Sequence, residues 1–456
     1  MSTFKPATTL DQVRKNCTLQ PLEGATLRDF WVETNDARDH LKHFREDLRE
    51  ILDGDEVQRV LVHGHQGCGK STEINKVISE LGPQWLVVSL NVVDALPVSG
   101  NEAADVLLAA CMRIVEVAKD HDLKLNEDTL KPIVAFFAKT TKTSTESHAA
   151  GLDIEAGADA SQTFFGKLFG LKAKLVSDLK FGSRSEESTI HQVRQNKGQL
   201  RDYVNALGIA AELAWQEIAT ERGRLLLVIE NLDKVSLADA DRIFVKDGPL
   251  LSSISLRAIY TIPVFTYYSN EASVIDACFP QRLSVPMIKV SERNGTVSAE
   301  GCAVLKQIIR HRVAPSILPD DAVDALIGAT GGVLRDIFQT ITLASTFTTV
   351  RASKVIDRSA IESALVRMVS ELGLRICYPR DHAAPRDPRP LLELLATIAS
   401  EQRSNLASPV RSNEDIQILL KSGALLEYNN GKRWLGVHPL ALKYLDELRI
   451  HVESVA

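Results

Sequence analysis

The chain has 456 residues, enough for about two or three domains at roughly 150 residues each, and its 45% hydrophobic and 25% charged residues are ordinary for a soluble globular protein. A net charge of -6 argues against bulk electrostatic attraction to nucleic acid and leaves room for a local basic face. The six cysteines (Cys17, Cys68, Cys111, Cys278, Cys302, Cys377) show no C-x-x-C pairing, which points to reduced thiols rather than a disulfide frame or a zinc site. No stretch reaches the ~20 apolar residues of a membrane span and the first residues lack a signal peptide's apolar core, so the expected location is cytoplasmic.

Residues 1–57 read as an N-terminal segment. It has a loose start, a short strand at Phe30-Trp31-Val32, and a helix with Leu41, Phe44, Leu48, Ile51 and Leu52 on one face, ended by Asp53-Gly54-Asp55. From 58 to 292 strands and helices alternate. The β-branched run Val60 to Val62 leads into Gly64-His65-Gln66-Gly67-Cys68-Gly69-Lys70-Ser71, then Thr72 and a helical pattern through Ile74, Val77, Ile78 and Leu81. This is a phosphate-binding loop, GxxxxGKS, between a strand and a helix. Its glycines let successive N–H groups turn inward on a polyphosphate, and the helix start adds its positive dipole end. Lys70 reaches the β- and γ-phosphates, and the Ser71 hydroxyl is placed to ligate Mg²⁺. Residues 64–72 are therefore the expected nucleotide-binding set, with ATP and Mg²⁺ as cofactors.

Further along, Trp85 to Leu90 reads as a strand and 102–118 as a helix with Val106, Leu107, Ala110, Ile114 and Val117 on one face. Residues 139–200 break the pattern. Two short alternating stretches, Leu152 to Ala156 and Lys172 to Leu175, flank the aromatic tip Phe164 to Leu171, which suggests an inserted β-hairpin. It either covers an edge or subunit contact, or offers an apolar tip to a membrane or partner. The continuous apolar run Leu225 to Ile229 fits a strand buried on both faces of a parallel sheet. It ends in Glu230-Asn231-Leu232-Asp233-Lys234. A carboxylate at the end of a buried strand facing the P-loop can hold the Mg²⁺ shell, which makes Ser71 and Glu230 the candidate metal pair. Asp233 is the remaining acid, for catalysis or for ordering the loop.

Two more strands are expected at 262–268 and 285–290, each carrying a proline that favours an edge or a strand start. The first ends in Ser269-Asn270, where Asn270 either reaches the γ-phosphate or caps the next helix. Residues 293–372 turn helical, over Ala303 to Val313, Asp321 to Ala329, Arg335 to Phe347 and Arg358 to Leu372. Gly331-Gly332-Val333-Leu334-Arg335 places an arginine just inside a helix after a tight turn. The last unit, 373–456, has helices at Leu391 to Ser400 and Asn413 to Ser422. A strand to Tyr428, an Asn429-Asn430-Gly431 turn and a strand at Trp434 to His438 follow, the order of a winged helix. The fold class expected is α/β: a P-loop NTPase αβα core with a long insertion, a helical lid domain and a C-terminal winged helix.

In this order, over roughly residues 30 to 450, the motifs resemble the AAA+ and STAND groups of P-loop ATPases, and most the origin-recognition/initiator-type branch. They are also similar to uncharacterised bacterial ATPases found among conflict and antiphage systems. The resemblance implies that Glu230 stands where an Asp is usual and Asn231 where many AAA+ enzymes place a water-activating Glu, so hydrolysis is expected to be slow. It implies a sensor 1 role for Asn270 and a sensor 2 role for Arg335. Arg282 is implied as an arginine finger offered to a neighbouring subunit, with a plain surface arginine as the alternative. The function expected is an ATP·Mg²⁺ switch that controls assembly or recruits an unidentified protein effector, as a homo-oligomer, in a bacterial antiphage setting. One alternative is a DNA-binding initiator or loader. Against it, the second winged-helix helix starts acidic (Glu414, Asp415), leaving Arg411, Lys421, Lys432 and Arg433 for a basic wing. The other is a membrane-contacting effector acting through the 163–171 tip. No H-x-x-x-H metal pair or G-x-S-x-G nucleophile turn supplies a different chemistry.

Overall fold

The computed structural model describes residues 5–38, 41–96, 100–126, 130–133, 135–136, 194–219, 222–379, 386–403, 413–428 and 433–450. The hairpin and aromatic tip expected within 139–200, and the Asn429-Asn430-Gly431 turn, lie outside them.

Five parallel strands form the central sheet in the order β2-β3-β4-β1-β5: β1 Arg59–His63, β2 Trp85–Asn91, β3 Arg224–Glu230, β4 Arg257–Thr261 and β5 Gln281–Ser284. The interior of β3, Leu225 to Ile229, is fully buried, as a strand flanked on both sides and covered on both faces must be. The helices α1 Leu10–Asn16, α2 Gly24–Phe30 and α3 Leu41–Asp53 precede the sheet, and α4 Lys70–Ser79 follows β1 directly. α5 Ala103–Asp120 and α6 Lys197–Gln216 pack together on one face. Phe30-Trp31-Val32 is not a strand: Phe30 closes α2, and its ring joins Leu22 and Leu27 in a small apolar cluster.

Two other strands fall upstream of their expected places, for one reason. A proline has no N–H to give a ladder. β4 therefore stops at Thr261, before Pro263, and Val264–Tyr268 wind into a 3₁₀ turn instead of the strand expected at 262–268. Likewise β5 stops at Ser284, before Pro286, so 285–290 is not a strand.

The helical region matches the expected pattern: α7 Ala272–Cys278 ends the core, and α8 Ala299–Arg312, α9 Asp320–Thr330, α10 Leu334–Val350 and α11 Arg358–Cys377 form the lid. The chain start packs on it, with the Ala7 N–H bonded to Arg312 O at 2.8 Å and α1 lying against α10. The last unit holds α12 Arg389–Arg403, α13 Glu414–Ser422, the antiparallel pair β6 Leu425–Tyr428 and β7 Trp434–Val437, and α14 Pro439–Glu447, a helix not anticipated. This winged-helix arrangement is docked on the core. α13 packs on the 264–268 turn and on α11, and Cys68, Val333, Leu426 and Tyr428 share one apolar cluster.

Candidate nucleotide site

Strand β1 delivers the P-loop to the carboxyl edge of the sheet, where β3 and β4 also end. Gly69 precedes α4 at φ +100°, so the loop turns into the helix through a left-handed residue that glycine adopts without strain. Lys70 and Ser71 open α4. The Lys70 Nζ is buried, 2.8 Å from Asp233 Oδ2, and donates to Gly64 O at 2.9 Å and His65 O at 3.1 Å. Burial alone would pull the Lys70 ammonium down, but Asp233 outweighs it and holds the lysine above its ordinary value. Burial would likewise raise Asp233, and Lys70 holds it below. Both partners agree: the pair is ionised.

Glu230 is hydrogen-bonded with the Ser71 hydroxyl. Burial pushes the Glu230 carboxyl up, the Ser71 bond opposes this, and Asp233 adds to the rise. Its Oε1 is buried without a hydrogen-bond partner. An unsatisfied carboxylate oxygen beside a hydroxyl is a hard oxygen donor set, and it fits Mg²⁺. Asn231 takes φ +66°, a left-handed conformation that Asn tolerates, and turns its Nδ2 onto Asn91 Oδ1 at 2.6 Å at the end of β2.

Arg335 also reaches the site. The Gly331-Gly332 turn sets Val333 and α10 against the P-loop so closely that a Cβ on Gly67 would lie 2.9 Å from the Arg335 Cβ. Arg335 lines the same space as Lys70, Ser71, Thr72, Asn231 and Asp233. Its charge is felt at Lys70, Asp233 and Lys234.

Asn270 does not reach the site. Because β4 ends nine residues upstream of it, Asn270 lines a separate hollow with Leu237 and Asn413, and Thr261 is the strand-end residue, its Oγ1 accepting from the Leu232 N–H at 3.2 Å. The sensor 1 placement at Asn270 is thus corrected. Arg282 sits within β5 on the sheet edge and pairs with Asp276 of α7, outside its own chain's P-loop space.

Several site residues carried no motif. Thr18, Leu19, Gln20 and Pro21 wall the P-loop space, and the Leu22 N–H donates to Thr72 Oγ1 at 3.2 Å. Arg312 closes another side, its guanidinium 4.0 Å from the Phe338 ring centroid, and burial lowers its pKa to about 10. Arg38, 1% exposed, donates to Cys68 O and Pro286 O at 2.7 Å each and ties the N-terminal segment to the loop. These contacts join residues tens to hundreds of positions apart, so no local pattern announces them.

The winged helix touches the loop itself. His65 Nδ1 lies 2.9 Å from Gln66 O and Nε2 3.0 Å from Leu425 O on β6. Burial holds the ring neutral, with a pKa of about 4, so its single N–H serves one carbonyl at a time. Beyond it, His438 Nδ1 accepts from the Leu440 N–H, and Nε2 lies 3.2 Å from Asp336 of the lid.

A five-stranded parallel sheet in the order 2-3-4-1-5, with GxxxxGKS leaving the strand between β4 and β5, decides the fold class. The core is that of a P-loop NTPase. No family model and no curated protein matches the sequence. Among solved structures, the chain is similar to a Walker-type ATPase of Pyrococcus abyssi at 12% identity and TM-score 0.43, covering 94% of this chain and 99% of that one. It is similar to the Aeropyrum pernix ORC2 protein in its ADPNP–ADP complexes at 10% identity and TM-score 0.44, covering 96% of each. The Thermotoga maritima RuvB Holliday junction branch migration motor matches at 12% identity and TM-score 0.34, over 92% of this chain and 98% of that one.

Proposed function

We propose that the chain is an ATP·Mg²⁺-dependent molecular switch, in which the nucleotide at the P-loop sets the positions of the lid and the winged helix. One observation carries this reading. The P-loop is held from both sides, by Arg335 packed on Gly67 and by Leu425 against His65, and the space between loop, lid and segment 18–21 is only about 100 Å³. Small-molecule pockets run to roughly 300–1,000 Å³. In this reading a seated nucleotide presses on lid and segment and takes Lys70 from Asp233. Binding and rearrangement are one event in this site.

Lys70 and the loop N–H groups would hold the polyphosphate, and Ser71 with Glu230 the cation, which supplies neutralisation of phosphate charge when bound. Arg335 is placed to sense the γ-phosphate. Turnover is slow in this scheme, since Asn231 offers no base and its amide is engaged by Asn91. Arg282 is kept for the nucleotide of a neighbouring copy, and the output is assembly or recruitment of an effector, in keeping with the resemblance to conflict-system ATPases. The winged helix is a lever in this reading rather than a duplex reader: Ile416, Ile418, Leu419 and Leu420 of α13 are buried, and Gln417 Nε2 donates to Phe265 O on the core.

The test is ATP turnover by the protein and by Lys70→Ala. Turnover and binding lost in the variant support the assignment; equal turnover in both removes it.

A further inference from the structure

A second and larger cavity, about 780 Å³, shares Arg335 with the P-loop space. Its walls come from three parts of the molecule: Gln66 at the P-loop tip, Arg335, Arg375 and Tyr378 of the lid and its exit, and Ile418 and Lys421 of α13. Its volume falls within the range of small-molecule sites, roughly 300–1,000 Å³. Three cationic side chains from three different helices line it. Among the described residues, Arg335 and Arg375 make no hydrogen bond or ion pair, although Arg375 is felt electrostatically at Asp336. The one acid in the wall, Glu371, is already engaged by Arg367 at 3.0 Å and by the Gln339 amide at 3.4 Å. The hollow thus presents two uncommitted guanidinium forks and an ammonium, beside an apolar shelf that ends in the exposed Tyr378 ring.

We infer that this three-way hollow is a second ligand site, distinct from the P-loop, for an organic phosphate of nucleotide size. Two guanidiniums and a lysine against one paired carboxylate match the double charge of a phosphate monoester, and planar guanidinium forks suit phosphate oxygens. Tyr378 and Ile418 offer a face for a flat apolar body. Because Gln66 belongs to the core, Arg375 to the lid and Lys421 to the winged helix, a ligand that touches all three favours the docked arrangement over any undocked one by its differential contacts. The ligand is a regulator that holds the winged helix down. The two spaces share Arg335 but not Lys70, Arg375 or Lys421, so substitutions at the last three separate this inference from the P-loop assignment.

The experiment uses the full chain with Lys70→Ala to disable the P-loop, and AMP and inorganic pyrophosphate as probes in equilibrium dialysis. Where Lys70→Ala alone does not fold, Lys70→Met with Asp233→Leu removes both members of the buried pair and serves the same purpose. The expected result is one binding site for a probe, weakened about tenfold or more by Arg375→Ala and by Lys421→Ala, with Arg375→Lys losing less. Arg375→Ala in the otherwise unaltered chain is expected to leave ATP turnover unchanged. Absence of binding by both probes into the millimolar range, or binding indifferent to both substitutions, overturns the proposal.

Discussion

Lys70 and Asp233 form a buried ion pair at the centre of the site, and at the scale of single residues this pair has a stability consequence as well as a functional one. Removing one member of such a pair leaves an uncompensated charge, at a cost of about 3–5 kcal/mol. Lys70→Ala is expected to lower unfolding stability by that order, and Lys70→Ala with Asp233→Ala to recover much of it, as read by denaturant unfolding. Glu230→Gln keeps the size of the side chain but weakens the cation site. It is expected to retain ATP binding while losing Mg²⁺-dependent turnover, with filter binding and phosphate release as the two readouts. Glu427 on β6 gives a pH signature. Burial pushes its carboxyl up to about 7 from an ordinary 4.5, even with Arg433 Nε at 3.3 Å. The folded state therefore keeps a proton that the unfolded chain gives up near its ordinary value. That stabilisation is complete below the ordinary value and is lost as pH rises through about 7. Glu427→Gln should flatten the difference: the unaltered protein should lose more melting temperature between pH 5.5 and pH 8 than the variant does. Equal losses would contradict the buried carboxyl.

Among the elements, the turn before α10 decides how the lid meets the loop. Gly332 sits at φ +82°, and a Cβ there would lie 2.2 Å from the Ile288 carbonyl oxygen. Gly332→Ala must strain or shift the turn, and is expected to destabilise by about 1–3 kcal/mol and to impair nucleotide binding by moving Arg335. A melting temperature and ATP affinity unchanged from the parent would show that the turn does not set the lid. Much at this scale was legible in the chain. The P-loop, the apolar β3 with its terminal acid and the lid helices announce themselves through local spacing. The Gly-Gly entrance to Arg335 and the helix followed by two strands in the last unit do so as well. The misplaced strands show where that legibility stops. Ile262 to Tyr268 is as apolar as a strand, yet Pro263 denies it a ladder partner, and the true strand Arg257–Thr261 begins with a charged residue. Asn270 was misassigned with it. Segment 18–21, Arg38 and Arg312 could not be read, because their importance lies in long-range contacts alone.

At the scale of the whole molecule, the nucleotide loop, the lid and the winged helix form one continuous assembly. Cys68, Val333, Leu426 and Tyr428 share an apolar cluster, and His65 meets Leu425. Such a junction has two consequences. Substitution of the side chains that hold it, Leu426→Ala for example, should loosen the winged helix without touching the phosphate or Mg²⁺ ligands, seen as faster proteolysis of the last unit with ATP binding preserved. And because the loop and the lid meet β6 in this junction, and α13 packs on lid helix α11, a nucleotide that shifts the loop or the lid is expected to be felt at α13 and β6. Amide hydrogen exchange across α13 and β6, measured with and without MgATP in the protein and in Lys70→Ala, tests this most directly. MgATP should change exchange in both elements of the unaltered protein and in neither element of the variant. Unchanged exchange in a protein that demonstrably binds ATP, or the same change in Lys70→Ala, would contradict it.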